Sequence, residues 1–259
     1  MKTQNKRILN SQLKNLISES QVVILCGGLG SRLAEETSIK PKPMVDIGAR
    51  PILWHIMKYY SSFGFRRFVL CLGYKGELIR DYFLNYQFNN SDICVRLTSD
   101  LAKATAPEVL GLKNISEDWE VILADTGQSS MTGSRVGQIQ KYIDSDYFLL
   151  TYGDGLCDVD LVKLMNYHMA HGKIGTVTGV RPPARFGELL ISKSGRGVNE
   201  ALKVDQFLEK PGFKKLLKNS ASQITGYING GYFIFDKRFF KYLSTRSSCV
   251  LEKAPLENL

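Results

Sequence analysis

Residues 21–51 read QVVILCGGLGSRLAEETSIKPKPMVDIGARP. A short apolar run, 22–25, stops at Cys26 and gives way to Gly27, Gly28 and Gly30. Such a run predicts a buried strand feeding a tight loop. A glycine loop of that kind turns backbone N–H groups outward, where they suit an anion. Arg32 follows, and Lys40 and Lys42 are held between and beside Pro41 and Pro43. Strand, glycines and cations together predict a polyphosphate site at the carboxyl end of a central strand.

Working outward, the pattern alternates. Pro51 opens a helix that runs to a stop at Gly64, with proline in a first-turn position. Strands are expected at 67–72, 92–98, 119–124 and 147–152, and helices at 77–85, 135–143 and 158–172. The last helix has Asp158 or Asp160 near its start and Gly172 as its C-cap. Residues 99–118 read as an irregular insertion. Strands separated by helices of this length imply βαβ units. The fold class is therefore α/β, with a Rossmann-like, mostly parallel central sheet and helices on both faces. Beyond residue 174 the helices thin out. Strand-like runs at 174–180, 188–192, 201–208 and 227–235 suggest a mixed or antiparallel extension. Residues 1–20 read as an added segment, either frayed or a short amphipathic helix carrying Ile8, Leu9, Leu13, Leu16 and Ile17. One domain, 21–259, follows.

Composition narrows the function classes. Thirty-four Lys and Arg against 25 Asp and Glu give a net charge of +9. The basic residues are scattered and no nucleic-acid motif accompanies them, so phosphorylated small molecules fit better than DNA or RNA. The five cysteines (Cys26, Cys71, Cys94, Cys157 and Cys249) form no C-x-x-C pair, and the three histidines have no zinc-site spacing with them. No run approaches the roughly 20 apolar residues of a membrane span, and the first 20 residues lack a signal-peptide apolar core. A cytoplasmic protein without membrane or nucleic-acid partners is expected. A homo-oligomer is left open.

Two familiar phosphate loops are excluded by spacing. The Rossmann fingerprint needs a glycine where Leu33 stands, and a Walker loop needs Gly-Lys-Ser/Thr. The remaining signal is L-C-G-G-L-G-S-R-L, the later K-P-K-P, D-T-G-Q-S-S-M-T-G at 125–133, and T-Y-G-D-G at 151–155. These motifs resemble those of the sugar-1-phosphate nucleotidyltransferases. The 125–133 stretch is most similar to the glucose-1-phosphate cytidylyltransferase branch of that family. The likeness spans about 22–259. It implies CTP and glucose 1-phosphate as substrates, CDP-glucose and pyrophosphate as products, and Mg²⁺ as cofactor. In the family the product feeds dideoxysugar and surface-polysaccharide synthesis.

Roles follow from the same resemblance. Leu25, Cys26, Gly27, Gly28, Leu29, Gly30 and Ser31 would bind the nucleotide, with Arg32 on its β and γ phosphates and Lys42 at the reacting phosphates. Ser130, Arg135 and Gly153 would also contact nucleotide, with Thr132 and Gly133 in the same loop and first turn; the alternative for Arg135 is an exposed helix arginine. Glu209, Lys210, Asn229 and Gly230 match the sugar-phosphate motifs E-K-P and N-G-G. Asp154 ends an apolar strand, where an open α/β sheet presents ligand groups, and a carboxylate there suits Mg²⁺. His55 reads as a packed or interfacial histidine. The family carries a second metal aspartate downstream of P-L-E-x-L, which is where this sequence stops. Asp154 and the substrate phosphates are then expected to hold the metal alone. Low turnover, simple binding, or another nucleotide or hexose phosphate are the alternatives.

Overall fold

The computed structural model describes residues 12–28, 39–100, 105–111, 117–181, 188–194, 201–208 and 227–259, with 188–194 and 201–208 as backbone only. After helix α1 at 12–19 come β1 Gln21–Leu25, the short pair β2 Asp46–Ile47 and β3 Arg50–Pro51, and α2 Ile52–Ser62. Next are β4 Arg67–Leu72, α3 Gly76–Leu84, α4 Tyr86–Asn89, β5 Asp92–Cys94, β6 Glu108–Gly111 and β7 Glu120–Asp125. Then follow α5 Thr132–Gln138, β8 Tyr147–Tyr152, α6 Leu161–His171 and β9 Gly175–Val180. β10 Glu188–Ser194, β11 Ala201–Leu208, β12 Ile228–Asp236 and α7 Ala254–Glu257 complete the described elements.

Six strands form one sheet in the order β7-β4-β1-β8-β12-β9. β7, β4, β1 and β8 pair in parallel, and β12 runs antiparallel to β8. The expected α/β class is correct, and β1 explains why. Val22 and Ile24 join one core cluster with Leu53, Ile56 and Met57 of α2 and Leu161 and Met165 of α6. Val23 and Leu25 join the other, with Val136 of α5 and Phe239. Side chains alternate across a strand, so an uninterrupted apolar run is the mark of a strand covered on both faces. Each fully buried leucine or isoleucine here contributes about 1.5–3 kcal/mol.

Several boundaries differ from expectation. The strand expected at 92–98 shrinks to Asp92–Cys94, because its partner is only the four residues of β6, inside the stretch read as irregular. Val95 and Leu97 beyond it are exposed, so their alternation buries nothing. The helix expected at 135–143 starts earlier, at Thr132, and yields to a 3-10 turn at Gln140–Tyr142. Thr132, Gly133 and Ser134 are poor helix formers. Ser134 N–H donates to the Cys249 carbonyl (3.0 Å), however, and tertiary contacts override propensity there. The helix expected at 158–172 begins at Leu161. Asp160 is its cap, accepting from Lys163 N–H, and Gly172 closes it at φ +61°. In α1, Ile17 is buried beside Gly64.

The chain divides into two compact units, 1–176 with 231–259, and 177–230. Within the second, β10 and β11 form an antiparallel pair and Arg181 lies over the Tyr227 ring at 4.7 Å. In the first, a directed chain of hydrogen bonds ends α6. Lys173 N–H donates to His171 Nδ1 (2.8 Å), so His171 Nε2 carries the proton towards Thr176 Oγ1 (2.7 Å). The threonine hydroxyl then donates to His168 Nδ1 (2.7 Å). Burial lowers His168 to a pKa of about 4, assisted by His171 and opposed by Asp236. The unfolded chain protonates this residue near the usual ~6.5, so it binds more protons than the folded chain between those values. Stability is expected to fall as pH drops from about 6.5 to about 4. Urea midpoints measured across that range should flatten in His168→Gln.

Candidate active site

The site grows from one register. β1 and β8 pair with Leu25 opposite Tyr152, so both strands end at the same edge. Cys26, Gly27 and Gly28 leave one strand as Gly153 and Asp154 leave the other. Gly153 N–H donates to the Leu25 carbonyl at 3.0 Å. A Cβ at Gly153 would stand 2.9 Å from that oxygen and 2.9 Å from Pro43 Cγ. Only glycine permits this approach, which seats the 3-10 turn Lys42–Met44 against the strand ends. Lys42 Nζ then lies 3.4 Å from Asp154 Oδ2, with the lysine side chain 20% and the carboxylate 46% exposed.

Opposite stands the loop from β7 into α5. It encloses, with the strand ends, a cavity of about 520 Å³ lined by Gly27, Gly28, Lys42, Ser130, Tyr152 and Asp154 among others. Gly28 is exposed, and the space where its side chain would stand is empty. The Cys26 thiol is buried and pushed well above its ordinary pKa by that burial, and Cys71 is pushed to about 12. Neither serves as a nucleophile at neutral pH.

Arg135 borders the cavity but is not exposed, and its guanidinium is taken up by protein acceptors. It is 3% exposed, and its guanidinium meets five acceptors. Nη1 donates to Leu72 O (2.9 Å), Thr126 Oγ1 (2.7 Å) and Gly127 O (2.8 Å). Nη2 donates to Gly27 O (2.8 Å) and, at 3.3 Å, to Gln128 O. Burial draws it below the usual arginine pKa, countered by Cys71, Cys26 and Asp125. Arg135 thus ties together the ends of β1, β4 and β7. Ser130 Oγ accepts from Gln138 Nε2 at 3.1 Å, which orients the loop from α5.

Of the residues expected at the site, Leu25, Cys26, Gly27, Gly28, Lys42, Ser130, Arg135, Gly153 and Asp154 line this one cavity. Leu29, Gly30, Ser31, Arg32, Glu209 and Lys210 lie outside the described residues. Asn229 is exposed near the start of β12, and Gly230 packs so closely on Thr178 that a Cβ would meet its Oγ1 at 2.8 Å. His55 Nε2 donates to the Ile47 carbonyl (2.9 Å), and the ring packs edge-on to Trp54. Tyr152 and Gln128 line the cavity without having been singled out. Both sit inside the motifs themselves, so their position was the available signal.

The sequence profile described as Nucleotidyl transferase matches residues 21–253. The chain belongs to the nucleotidyl transferase family. It is 41% identical over 240 residues to the glucose-1-phosphate cytidylyltransferase of Salmonella typhi, covering 92% of this chain and 83% of that one. It is 38% identical over 239 residues to the probable glucose-1-phosphate cytidylyltransferase of Bacillus subtilis (strain 168), covering 92% and 84%. Among solved structures, HddC from Yersinia pseudotuberculosis aligns with a TM-score of 0.57 at 25% identity, over 93% of this chain and 86% of that one. The six-stranded sheet is therefore a nucleotidyl transferase sheet, and the cavity sits at the carboxyl ends of its parallel strands, where open α/β sheets hold ligands.

Arg135→Met would keep the side-chain stem but remove all five guanidinium hydrogen bonds at the buried strand ends. A loss of about 3 kcal/mol or more is expected in urea unfolding. Arg135→Lys should recover little, because one ammonium cannot reproduce the fork.

Proposed function

We propose that the protein transfers the cytidylyl group of CTP to glucose 1-phosphate, giving CDP-glucose and pyrophosphate. The observation that carries this reading is the meeting of Lys42 and Asp154 at 3.4 Å on one cavity, from positions 112 residues apart. The named relatives at 41% and 38% identity support the choice of base and sugar. The nucleotidyltransferase domain is taken as 21–259.

The reaction needs no side-chain nucleophile. A phosphate oxygen of glucose 1-phosphate attacks the α-phosphorus of CTP. The new P–O bond forms as the α–β bridging bond breaks, and pyrophosphate leaves. Such a step is accelerated by in-line positioning and by neutralising the charge that develops on the phosphates. Lys42 supplies positive charge at that place, and the backbone of Gly27 and Gly28 leaves room for a phosphate against it. The Cys26 thiol, buried and held protonated, does not compete with the phosphate nucleophile.

Asp154 fits a Mg²⁺ ion. Its hard oxygens face the cavity, and among the described residues no group of three or more His, Cys, Asp or Glu forms a closed cage. Mg²⁺ commonly takes one or two carboxylates and completes its shell with phosphate oxygens and water. Asp154 would hold it, and the ion would supply Lewis-acid neutralisation of the triphosphate.

Pyrophosphate release from CTP, glucose 1-phosphate and Mg²⁺ tests the reading, with UTP, GTP and dTTP as comparators. Release with CTP at least tenfold above the others is expected. Release with none of them would sink the proposal. Lys42→Ala should lower turnover by at least about a hundredfold, with a melting temperature near that of the wild type. Undiminished turnover would remove Lys42 from its role.

A further inference from the structure

We propose that Glu252 is a positioning residue that clasps the two walls of the nucleotide cavity. Its carboxylate stands between them. Oε1 accepts from the Tyr152 hydroxyl at 2.5 Å, and Oε2 accepts from Thr132 Oγ1 at 2.8 Å. Both donors line the cavity. Tyr152 is the last residue of β8, immediately before Gly153 and Asp154, so it belongs to the wall that carries the metal-binding carboxylate. Thr132 opens α5, immediately after Ser129, Ser130 and Met131, so it belongs to the facing wall.

The segment that bears Glu252 is itself well anchored. Leu251 is fully buried, and its N–H donates to Thr132 Oγ1 at 2.9 Å, so that this hydroxyl both gives and receives. Met131 N–H donates to Ser247 O (2.8 Å), Ser134 N–H to Cys249 O (3.0 Å), and Ser134 Oγ to Thr245 O (3.0 Å). A Cβ on Gly133 would fall 2.8 Å from Cys249 Sγ. Those bonds fasten residues 245–251 to the loop-and-helix wall, while Leu251 joins the core cluster that holds Phe148 and Leu150 of β8. The Glu252 carboxylate adds a hydrogen-bonded crossing to Tyr152 at the end of β8.

A carboxylate suits the task because it is acceptor-only and has two oxygens, one for each hydroxyl. Hydroxyl-to-carboxylate bonds are charge-assisted, hence short and strong. Without the clasp, α5 stays tied to the end of β1 through Arg135, but its N-terminal turn and the loop before it lose their direct link to the end of β8 and move more freely at the cavity rim. The fraction of molecules with the cavity at binding width falls, and nucleotide affinity falls by the same fraction. Lys42 and Asp154 stay in place, so bound nucleotide still reacts.

The kinetic part of this proposal rests on the cytidylyl-transfer reading, and the test separates the two. In Glu252→Ala, the KM for CTP is expected to rise about tenfold. The kcat and the KM for glucose 1-phosphate should stay within twofold of the wild type. A merely structural role would instead lower kcat through loss of active molecules and leave the KM for CTP alone. Glu252→Gln keeps an acceptor for Tyr152 and should recover most of the loss. Hydrogen exchange of amides 127–134 in the ligand-free protein should quicken about tenfold in Glu252→Ala. If that variant does not fold, Tyr152→Phe, which removes one arm, should show about a threefold effect in both readouts. Unchanged CTP KM and unchanged exchange would overturn the clasp, as would a Gln variant no better than Ala. If the wild type turns over no CTP, the proposed function fails, and exchange alone decides the role of Glu252.

Discussion

One buried guanidinium holds the functional edge of this sheet together. Arg135 reaches carbonyls at the ends of β1, β4 and β7. Leu72 O also accepts from Thr126 N–H and Oγ1, and Gly27 O from Tyr74 N–H, so the guanidinium completes the hydrogen bonding of strand ends where a buried unpaired carbonyl would cost about 1–3 kcal/mol. The guanidinium's planar fork serves several at once. Its presence also dictates local sequence. A Cβ at Gly27 would fall 2.3 Å from the guanidinium and one at Gly73 2.4 Å away. Gly27 is therefore small on behalf of an arginine beneath the loop, whereas Gly28 is small beside open space. Two adjacent glycines with the same sequence signature answer to different constraints.

Much of the fold was legible because burial on both faces leaves a plain mark. β1, β4 and β8 are continuous apolar runs, and their ends were located within a residue. Asp160 and Gly172 bounded α6 through capping chemistry that is local in sequence. Legibility failed where a segment's conformation was decided by distant residues. Thr132, Gly133 and Ser134 look like loop, yet their helix is held by carbonyls more than a hundred residues away. Residues 95–98 look like strand but find no partner. At the site, Lys42 and Asp154 were readable because each sits in a motif. The burial of Arg135 was not, since nothing in R-V-G-Q tells whether an arginine faces solvent or three strand ends. Glu252 carries no local signal, because its meaning is the pair of hydroxyls it joins.

The site depends on geometry more than on perturbed acids and bases. Its lysine and carboxylate meet at 3.4 Å on the cavity lining, and its buried thiols are unreactive. Such a site accelerates a reaction whose nucleophile arrives already charged, by fixing distances between phosphates. Rigidity at the strand ends is then the functional requirement. The close contact of Gly153 with Leu25 and Pro43, the Arg135 network and the Glu252 bridge all meet it.

The adjacency of β1 and β8 has a further consequence. Leu25 and Tyr152 face one another across a single ladder although 126 residues lie between them, including the β5–β6 hairpin and its exposed apolar residues. The spacing of the phosphate-handling groups is set by strand pitch, not by the length of chain in between. Material can be added or removed along those excursions without altering the seam. The family can thus remodel its peripheral surfaces, and whatever they recognise, while the arrangement that breaks the α–β phosphate bond stays constant.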